Sequence, residues 1–463
     1  MQPKDAPDMQ TTDAGREYEK ALMSVLSSEK KDFPSYFGGM MVASGNEFII
    51  SSPIDDTIRY GIFQEPEEGI MEEAVDASVK TFGEWKRSTV DERVKVFEGV
   101  LANYRSRRLF YAASVTVSTG MVREDALSEV DAFISAVESA ITEAKSMKGK
   151  PTGVWAIVSE HNSPLASPAG AAVACMLGGN CVIMNPTRDA PYPIYQFYEA
   201  CEKAGLPGGV MNLVVDRKLE STQDLVCDMR LSGVVASGSG KRMDDLMFMM
   251  IDDELRFVYD IKGMNPALVY RPADMKATVK DIIESAFAYS GQRLYSCSKV
   301  VVLMEDQKRF MDVLTEYMKD VKVDDPVNDT AFAGPLISMD AAKSYRETVE
   351  RHLEFVVAKG SAVINLPDNY VRPVAVTGIP LEDSLDYEDT GLPILDVKVV
   401  DSLESAFEEL EDTECGLSAG LFSKDQKVID RFKKQVDVPL QYINKSSRTL
   451  AHGLPAKVSL YTK

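Results

Sequence analysis

Positive charge is what this chain is shortest of. Its 463 residues carry 51 Lys and Arg against 72 Asp and Glu, a formal net charge of −21. Phosphate-rich partners need a cationic surface, so nucleic acid and anionic membranes are excluded as partners. The plain reading is a solvated acidic surface that keeps the protein soluble, although a local pocket can oppose the global sign and take an acidic ligand. Histidine is scarce, with three in the chain, and cysteine nearly so, with six: Cys175, Cys181, Cys201, Cys227, Cys297 and Cys415. No two form a CxxC pair, so no metal site is expected. The thiols read as reduced and mostly buried in a cytoplasmic protein. Long apolar runs are missing as well. The most apolar stretch, 164–184, is broken by Ser167, Pro168, Gly178, Gly179 and Asn180 and reads as a helix plus a strand rather than a membrane span. The polar N-terminus MQPKDAPDMQTTDAGREYEK has no apolar core and does not read as a signal peptide. There is no internal repeat and no low-complexity segment.

What is present is periodicity. Residues 1–36 have little of it and are expected to form a loosely held arm. Helical spacing follows over 70–87, 90–105 and 127–147. From Gly153 the pattern becomes short β-branched runs (GVWAIVS, NCVIMNP, VMNLVV, SGVVASG) alternating with helical stretches, which predicts a parallel sheet covered on both faces. A second alternating set opens with LRFVYDI (255–261) and PALVY and runs through KVVVLME to VDSLESAFEEL. The fold class is therefore α/β with two Rossmann-like parallel-sheet domains. The expected boundaries are an arm over 1–36, a nucleotide-binding-type domain over 37–259, a catalytic-type domain over 260–447, and a segment over 448–463 that returns to the first domain. Ligands in such sheets bind at the carboxyl ends of the strands.

Thiol-based aldehyde oxidation needs a cysteine nucleophile, an oxyanion donor, a hydride acceptor and a carboxylate base that activates water. Seven motifs bear on it in order: FGG (37–39), Trp85 with Arg93, TGMVREDALSEVD (119–131), PTGVWAIVSEHNSPL (151–165), GLPGGVMNLV (205–214), AGPLIS (333–338) and the terminal LYTK. On these the chain resembles the aldehyde dehydrogenase superfamily, and within it the 1-pyrroline-5-carboxylate dehydrogenases, from about residue 37 to 463. The resemblance implies NAD or NADP as cofactor, oxidation of an aldehyde to an acid as activity, and a set of site positions.

Carried over one at a time, those positions change. Asn162 stands where the oxyanion asparagine belongs; a cap for the following helix is its plainer reading. Asn185 replaces the lysine of the adenosine ribose. Gly238 and Ser239 match the glycine-serine at the pyrophosphate helix, while the glycine four residues beyond is Met243. Asp260, in DIKGMNP, replaces the general-base glutamate and reads as a shortened base or as an exposed strand-end aspartate; Lys262 and Met264 also depart from the pattern. Asp389, in EDTGLP, replaces the glutamate of the nicotinamide ribose. In AYSGQRLYSCSKVVV (288–302) the family's GQ-x-C-S-A-C-S-R pattern aligns Gln292 and the Cys297-Ser298 pair. It puts Leu294, not Cys297, at the nucleophile position, 34 residues after Asp260. Leucine has no lone pair to attack a carbonyl. Cys297 is a substitute only if the loop shifts by about three residues, roughly 10 Å of chain. In the substrate anchor, Tyr295 replaces a serine and Thr449 and Leu450 replace a glycine-alanine pair; the tyrosine and the leucine would fill the pocket.

The helical stretch ending near Met147 is followed almost at once by Pro151, where the family inserts a two-stranded oligomerisation arm, so that arm and the tail that pairs with it in a neighbour are both expected to be missing. A monomer or a different dimer is expected. Three functional readings stand: an NAD(P)-linked aldehyde dehydrogenase using Cys297 or a different mechanism; a catalytically silent relative that binds a nucleotide, a metabolite or a protein partner; and a purely structural protein whose pocket Tyr295 closes. The second is favoured, because nucleophile, lysine, base, ribose and anchor positions change together.

Overall fold

The computed structural model describes residues 13–27, 31–65, 67–215, 219–250, 255–261, 263–363, 365–411, 416–450 and 456–463. The chain divides into two compact units, Met1–Asp260 with His452–Lys463, and Ile261–Ala451.

The first unit opens with α1 (Asp13–Leu26). This segment was expected as a loose arm. It carries only three apolar anchors, Tyr18, Leu22 and Val25, but they recur at helical spacing and are all buried. Three anchors among charged residues give a weak periodic signal, yet they suffice to fix the helix, with the Tyr18 hydroxyl sharing a 2.7 Å hydrogen bond with Thr116. A small sheet joins β1 (Lys31–Phe33) to two later strands, and a hairpin of β2 (Ser35–Phe37) and β3 (Met40–Val42) joins the main sheet. Strands β4 (Glu47–Ser51) and β5 (Arg59–Gln64) complete the small sheet, in the order β1-β5-β4. Helices α2 (Ile70–Trp85), α3 (Val90–Ser106), α4 (Arg108–Thr119) and α5 (Arg123–Ser146) follow. A capping box starts α3: the Thr89 hydroxyl accepts from Glu92 N at 3.2 Å, and the Glu92 carboxylate accepts from Thr89 N at 2.7 Å.

The seven residues 147–153 then lead straight into β6 (Val154–Ser159), with no strand pair between. Lys150 exchanges two backbone hydrogen bonds with Lys463. The remaining elements alternate: α6 (Ala166–Leu177), β7 (Cys181–Pro186), α7 (Tyr192–Lys203), β8 (Met211–Leu213), α8 (Leu219–Val226), β9 (Leu231–Gly238), α9 (Lys241–Met250) and β10 (Arg256–Ile261). The main sheet has the order β10-β9-β6-β7-β8-β2-β3, parallel from β9 to β8. Every residue of β6 and β7 is buried, which is why both read as unbroken apolar runs. LRFVYDI, expected to open the second alternating set, instead forms β10 at the edge of this first sheet. Its pattern identifies a strand but carries no information on which sheet supplies the partner.

The second unit runs β11 (Ala267–Val269), α10 (Met275–Phe287), β12 (Lys299–Leu303), α11 (Met304–Met318), β13 (Lys322–Val323), α12 (Met339–Arg351), β14 (Val356–Lys359), β15 (Ser361–Ala362), β16 (Val374–Thr377), α13 (Ser384–Tyr387), β17 (Ile394–Val400), α14 (Leu403–Glu411), β18 (Ser418–Phe422), α15 (Gln426–Gln435) and β19 (Leu440–Ile443). Its seven-stranded sheet has the order β14-β16-β17-β12-β11-β18-β19 and is parallel except for β14. Leu268, Val301, Phe407, Leu421 and Phe432 pack one face of it.

Candidate functional site

In the first unit the candidate residues gather at the carboxyl ends of β6, β7 and β9. Asn162 lies in the turn after β6 and is buried; its Oδ1 accepts from the Ser239 hydroxyl at 3.1 Å. A carboxylate from another helix acts at the start of α6. Glu129 Oε1, from α5, accepts from Leu165 N at 3.1 Å, Ala166 N at 2.8 Å and the Ser163 hydroxyl at 2.8 Å, and so caps α6 and ties down the Asn162 turn. Glu129 lies in the TGMVREDALSEVD motif, yet nothing in its spacing tells what its carboxylate holds. Gly238, at φ 146°, meets Glu160 so closely that a β-carbon would fall 2.4 Å from Glu160 Cβ, so only glycine fits. Asn185 is fully buried. Its Nδ2 donates to Val214 O at 3.0 Å, and its Oδ1 accepts from the Thr222 hydroxyl at 2.9 Å and from Arg242 Nη2. Arg242, which the sequence did not single out, also pairs with Glu160 Oε1 at 3.0 Å. Asp260 is fully buried and accepts from the Ser167 hydroxyl at 2.9 Å, which in turn accepts from Ser237 at 2.8 Å. The exposed strand-end alternative for Asp260 is therefore corrected: its side chain turns inward from the edge strand.

In the second unit the loop of the AYSGQRLYSCSKVVV stretch is bent by three successive left-handed residues, Tyr289 (φ 52°), Ser290 (φ 52°) and Gly291 (φ 73°). A β-carbon at Gly291 would come 2.8 Å from Leu392 O. Gln292 holds the AGPLIS segment, accepting from Ile337 N at 2.8 Å and donating to Tyr289 O at 3.1 Å. Asn265 does the same for the loop's far side: its Nδ2 donates to Leu294 O at 3.0 Å and Ser296 O at 3.1 Å, and its Oδ1 accepts from Ser418 N at 2.9 Å. The Leu294 side chain is fully buried, and Tyr295 is buried with its carbonyl accepting from the Ser447 hydroxyl at 2.8 Å. Cys297 is buried; its thiol donates to Lys299 O at 3.2 Å, and burial pushes its pKa up to about 12. Asp389 is half-buried and its Oδ1 accepts from Gly391 N at 2.8 Å, an aspartate turn. Leu450 is buried; the Thr449 side chain, Lys262, Cys415 and residues 451–453 lie outside the described residues. Among the five described cysteines Cys227 is exposed, unlike the other four.

A charged cluster beneath this loop was not legible at all. Lys299 on β12 lies opposite Asp396 on β17. Lys299 pairs with Glu409 at 3.1 Å and Asp386 at 3.2 Å, and Lys398 pairs with Asp386 at 2.7 Å. Asp396 is 3 % exposed, and neither of its carboxyl oxygens takes a hydrogen bond among the described residues. Burial, first, raises its pKa to about 7, with Lys299 and Lys398 opposing and Asp386 and Glu409 adding to the rise.

Two doubly wound parallel sheets, with a glycine-serine turn entering a helix in one unit and a strained glycine-glutamine loop in the other, define an aldehyde dehydrogenase-type α/β protein. The aldehyde dehydrogenase family model matches residues 42–456, and the chain belongs to that family. It is similar to the 1-pyrroline-5-carboxylate dehydrogenases of Geobacillus sp. (strain WCH70), at 23 % identity over 94 % of this chain and 89 % of the relative, and of Geobacillus kaustophilus (strain HTA426), at 24 % over the same shares. Its fold matches the crystal structure of a 1-pyrroline-5-carboxylate dehydrogenase from Thermus with bound NAD, with a TM-score of 0.92 and 19 % identity over 100 % of this chain and 97 % of that one. Among the described residues, no helix is long and apolar enough to cross a membrane.

Proposed function

We propose that this chain is a member of the aldehyde dehydrogenase family that has lost thiol chemistry and keeps a dinucleotide crevice in its first unit. The observation that carries the reading is the pair Leu294 and Cys297. The nucleophile position holds a fully buried leucine, and the nearby thiol is buried, bonded to a carbonyl and pushed up to about 12. At that value roughly one thiol in 100,000 is ionised at pH 7, whereas the attacking species must be an accessible thiolate. A nicotinamide dinucleotide, when bound, accepts hydride. The residues of the first unit that would hold its adenosine half are Gly238, Ser239 and Arg242, with the buried Asn185 holding the Arg242 guanidinium, and they fit it: a bare backbone, a hydroxyl and a cation lie at the strand ends.

The test is NAD(P)+ reduction with a panel of aldehydes that includes 1-pyrroline-5-carboxylate. Wild type is expected to be silent. Turnover by wild type that Cys297→Ala abolishes would refute the reading. Activity gained by Leu294→Cys would place the loss at the thiol alone. The reading extends to assembly and compartment. With α5 joined to β6 by seven residues, a monomer or a different dimer is expected, and a stable family-type dimer in sedimentation would count against it. The five described cysteines are free thiols, in keeping with a cytoplasmic protein.

A further inference from the structure

The main sheet of the first unit changes direction at β6: β7 and β8 are added on one side, β9 and β10 on the other. A ligand crevice opens outside the carboxyl ends of the strands at such a point. Glu160 directly follows β6, and Arg242 is the second residue of α9, which follows β9. One guanidinium spans the corner. Arg242 Nη1 donates to Glu160 Oε1 at 3.0 Å and Ser159 O at 3.4 Å, and Nη2 donates to Thr222 Oγ1 at 2.9 Å and to Asn185 Oδ1. The side chains of Arg242 and Glu160 remain 18 % and 12 % exposed, so the pair borders solvent.

Doubly wound dinucleotide folds read the adenosine ribose near this edge. A carboxylate at the end of the neighbouring strand takes the 2′-hydroxyl, whereas a nearby arginine accommodates a 2′-phosphate. Here the neighbouring strand is β7, and the residue near its end is Asn185, uncharged and already accepting from Thr222 and Arg242. The cation is present, and β7 itself ends without a carboxylate; the next one along the chain, Asp189, lies three residues beyond the strand and pairs with Arg188 at 3.6 Å. Guanidinium is always charged and matches phosphate with two parallel hydrogen bonds. A phosphate dianion can replace the single Glu160 carboxylate contact; a neutral ribose hydroxyl cannot.

We propose that the first unit selects a dinucleotide phosphorylated at the 2′ position, with Arg242 passing from Glu160 to that phosphate on binding. This rests on the dinucleotide crevice proposed above and names its ligand class. The test is calorimetric titration of the full chain with NADP+ and NAD+, for wild type, Arg242→Ala, Arg242→Lys and Glu160→Gln, with circular dichroism confirming that each is folded. Wild type is expected to bind NADP+ roughly 10- to 100-fold tighter than NAD+, the range of hydrogen bonds to a charged group. Arg242→Ala should abolish that preference, Arg242→Lys should retain part of it, and Glu160→Gln should tighten NADP+ alone. Equal affinities, an NAD+ preference, or a preference that survives Arg242→Ala would overturn the proposal while leaving a dinucleotide crevice standing. Binding of neither nucleotide would overturn the proposal and the crevice together.

Discussion

Asp396→Asn should stabilise this protein at alkaline pH and do little in acid. The cluster around Asp396 holds two lysines, Lys299 and Lys398, and two other carboxylates, Asp386 and Glu409. Those four charges balance, so an ionised Asp396 is a third negative charge in a buried site where neither of its oxygens takes a hydrogen bond. Its folded-state pKa of about 7 lies well above the usual 3.8. The sign is thus opposite to that of a salt-bridged aspartate. Below pH 4 both folded and unfolded chains hold the proton and the residue has no effect. Between pH 4 and 7 the unfolded chain has released it and the folded chain has not, so stability falls as pH rises; above 7 the full penalty remains. Three pKa units at about 1.4 kcal/mol each give about 4 kcal/mol at pH 8 and about 2 kcal/mol at pH 5. Asparagine has nearly the same shape and no charge, so it reproduces the protonated state at every pH. Urea unfolding of wild type and variant at pH 5 and pH 8 measures the difference. The variant's advantage should grow with pH. A variant less stable than wild type at pH 8, or a gap equal at both values, would refute the account of the cluster.

Glu129→Ala leaves three donors around the start of α6 without their acceptor, so it should cost about 2 to 3 kcal/mol in unfolding free energy; a change under about 0.5 kcal/mol would mean that the carboxylate is not the cap. Thiol titration of the native protein with a disulfide reagent at pH 8 should label the exposed Cys227 quickly. Replacing Cys297 with serine should leave the fast phase unchanged and remove one thiol only after denaturation, whereas a lost fast thiol would show that Cys297 is accessible.

The sequence carried the architecture through period and spacing. Strands β6 and β7 are buried on both faces, and fully buried strands announce themselves as unbroken β-branched runs. Helices 70–87 and 90–105 were legible because each lays a full apolar stripe on the core. Helix α1 was not, because Tyr18, Leu22 and Val25 are its whole stripe. The membership of β10 was hidden for a different reason: strand propensity is local and sheet membership is not. Asn162, Gly238 and Ser239 do converge, since chain order already fixes them at adjacent strand ends. Arg242, Glu129 and the Asp396 cluster were invisible. Arg242 bonds to residues 20 to 83 positions away and Glu129 to residues 34 to 37 positions away, the ion pairs of the Asp396 cluster span 11 to 110 positions, and no periodicity links an arginine to an amide on another element.

The residues that keep the family's pattern and those that depart from it differ in what they do physically. Gln292, Asn265 and Glu129 each fasten two to four backbone groups, and Gly238 and Gly291 sit where a β-carbon would strike its neighbours at 2.4 and 2.8 Å. Any change there leaves buried donors or acceptors unpaired, or forces the chain apart, and is resisted by folding alone. Leu294 and Tyr295 are different: their carbonyl oxygens are held by Asn265 and Ser447, a carbonyl is indifferent to the side chain it belongs to, and the buried side chains add a requirement of shape and volume. Chemistry at positions of that kind can be lost without loss of structure. Whole-chain likeness to aldehyde dehydrogenases therefore reports on the fastened backbone, and activity has to be read from the chemistry of the side chains that this backbone presents.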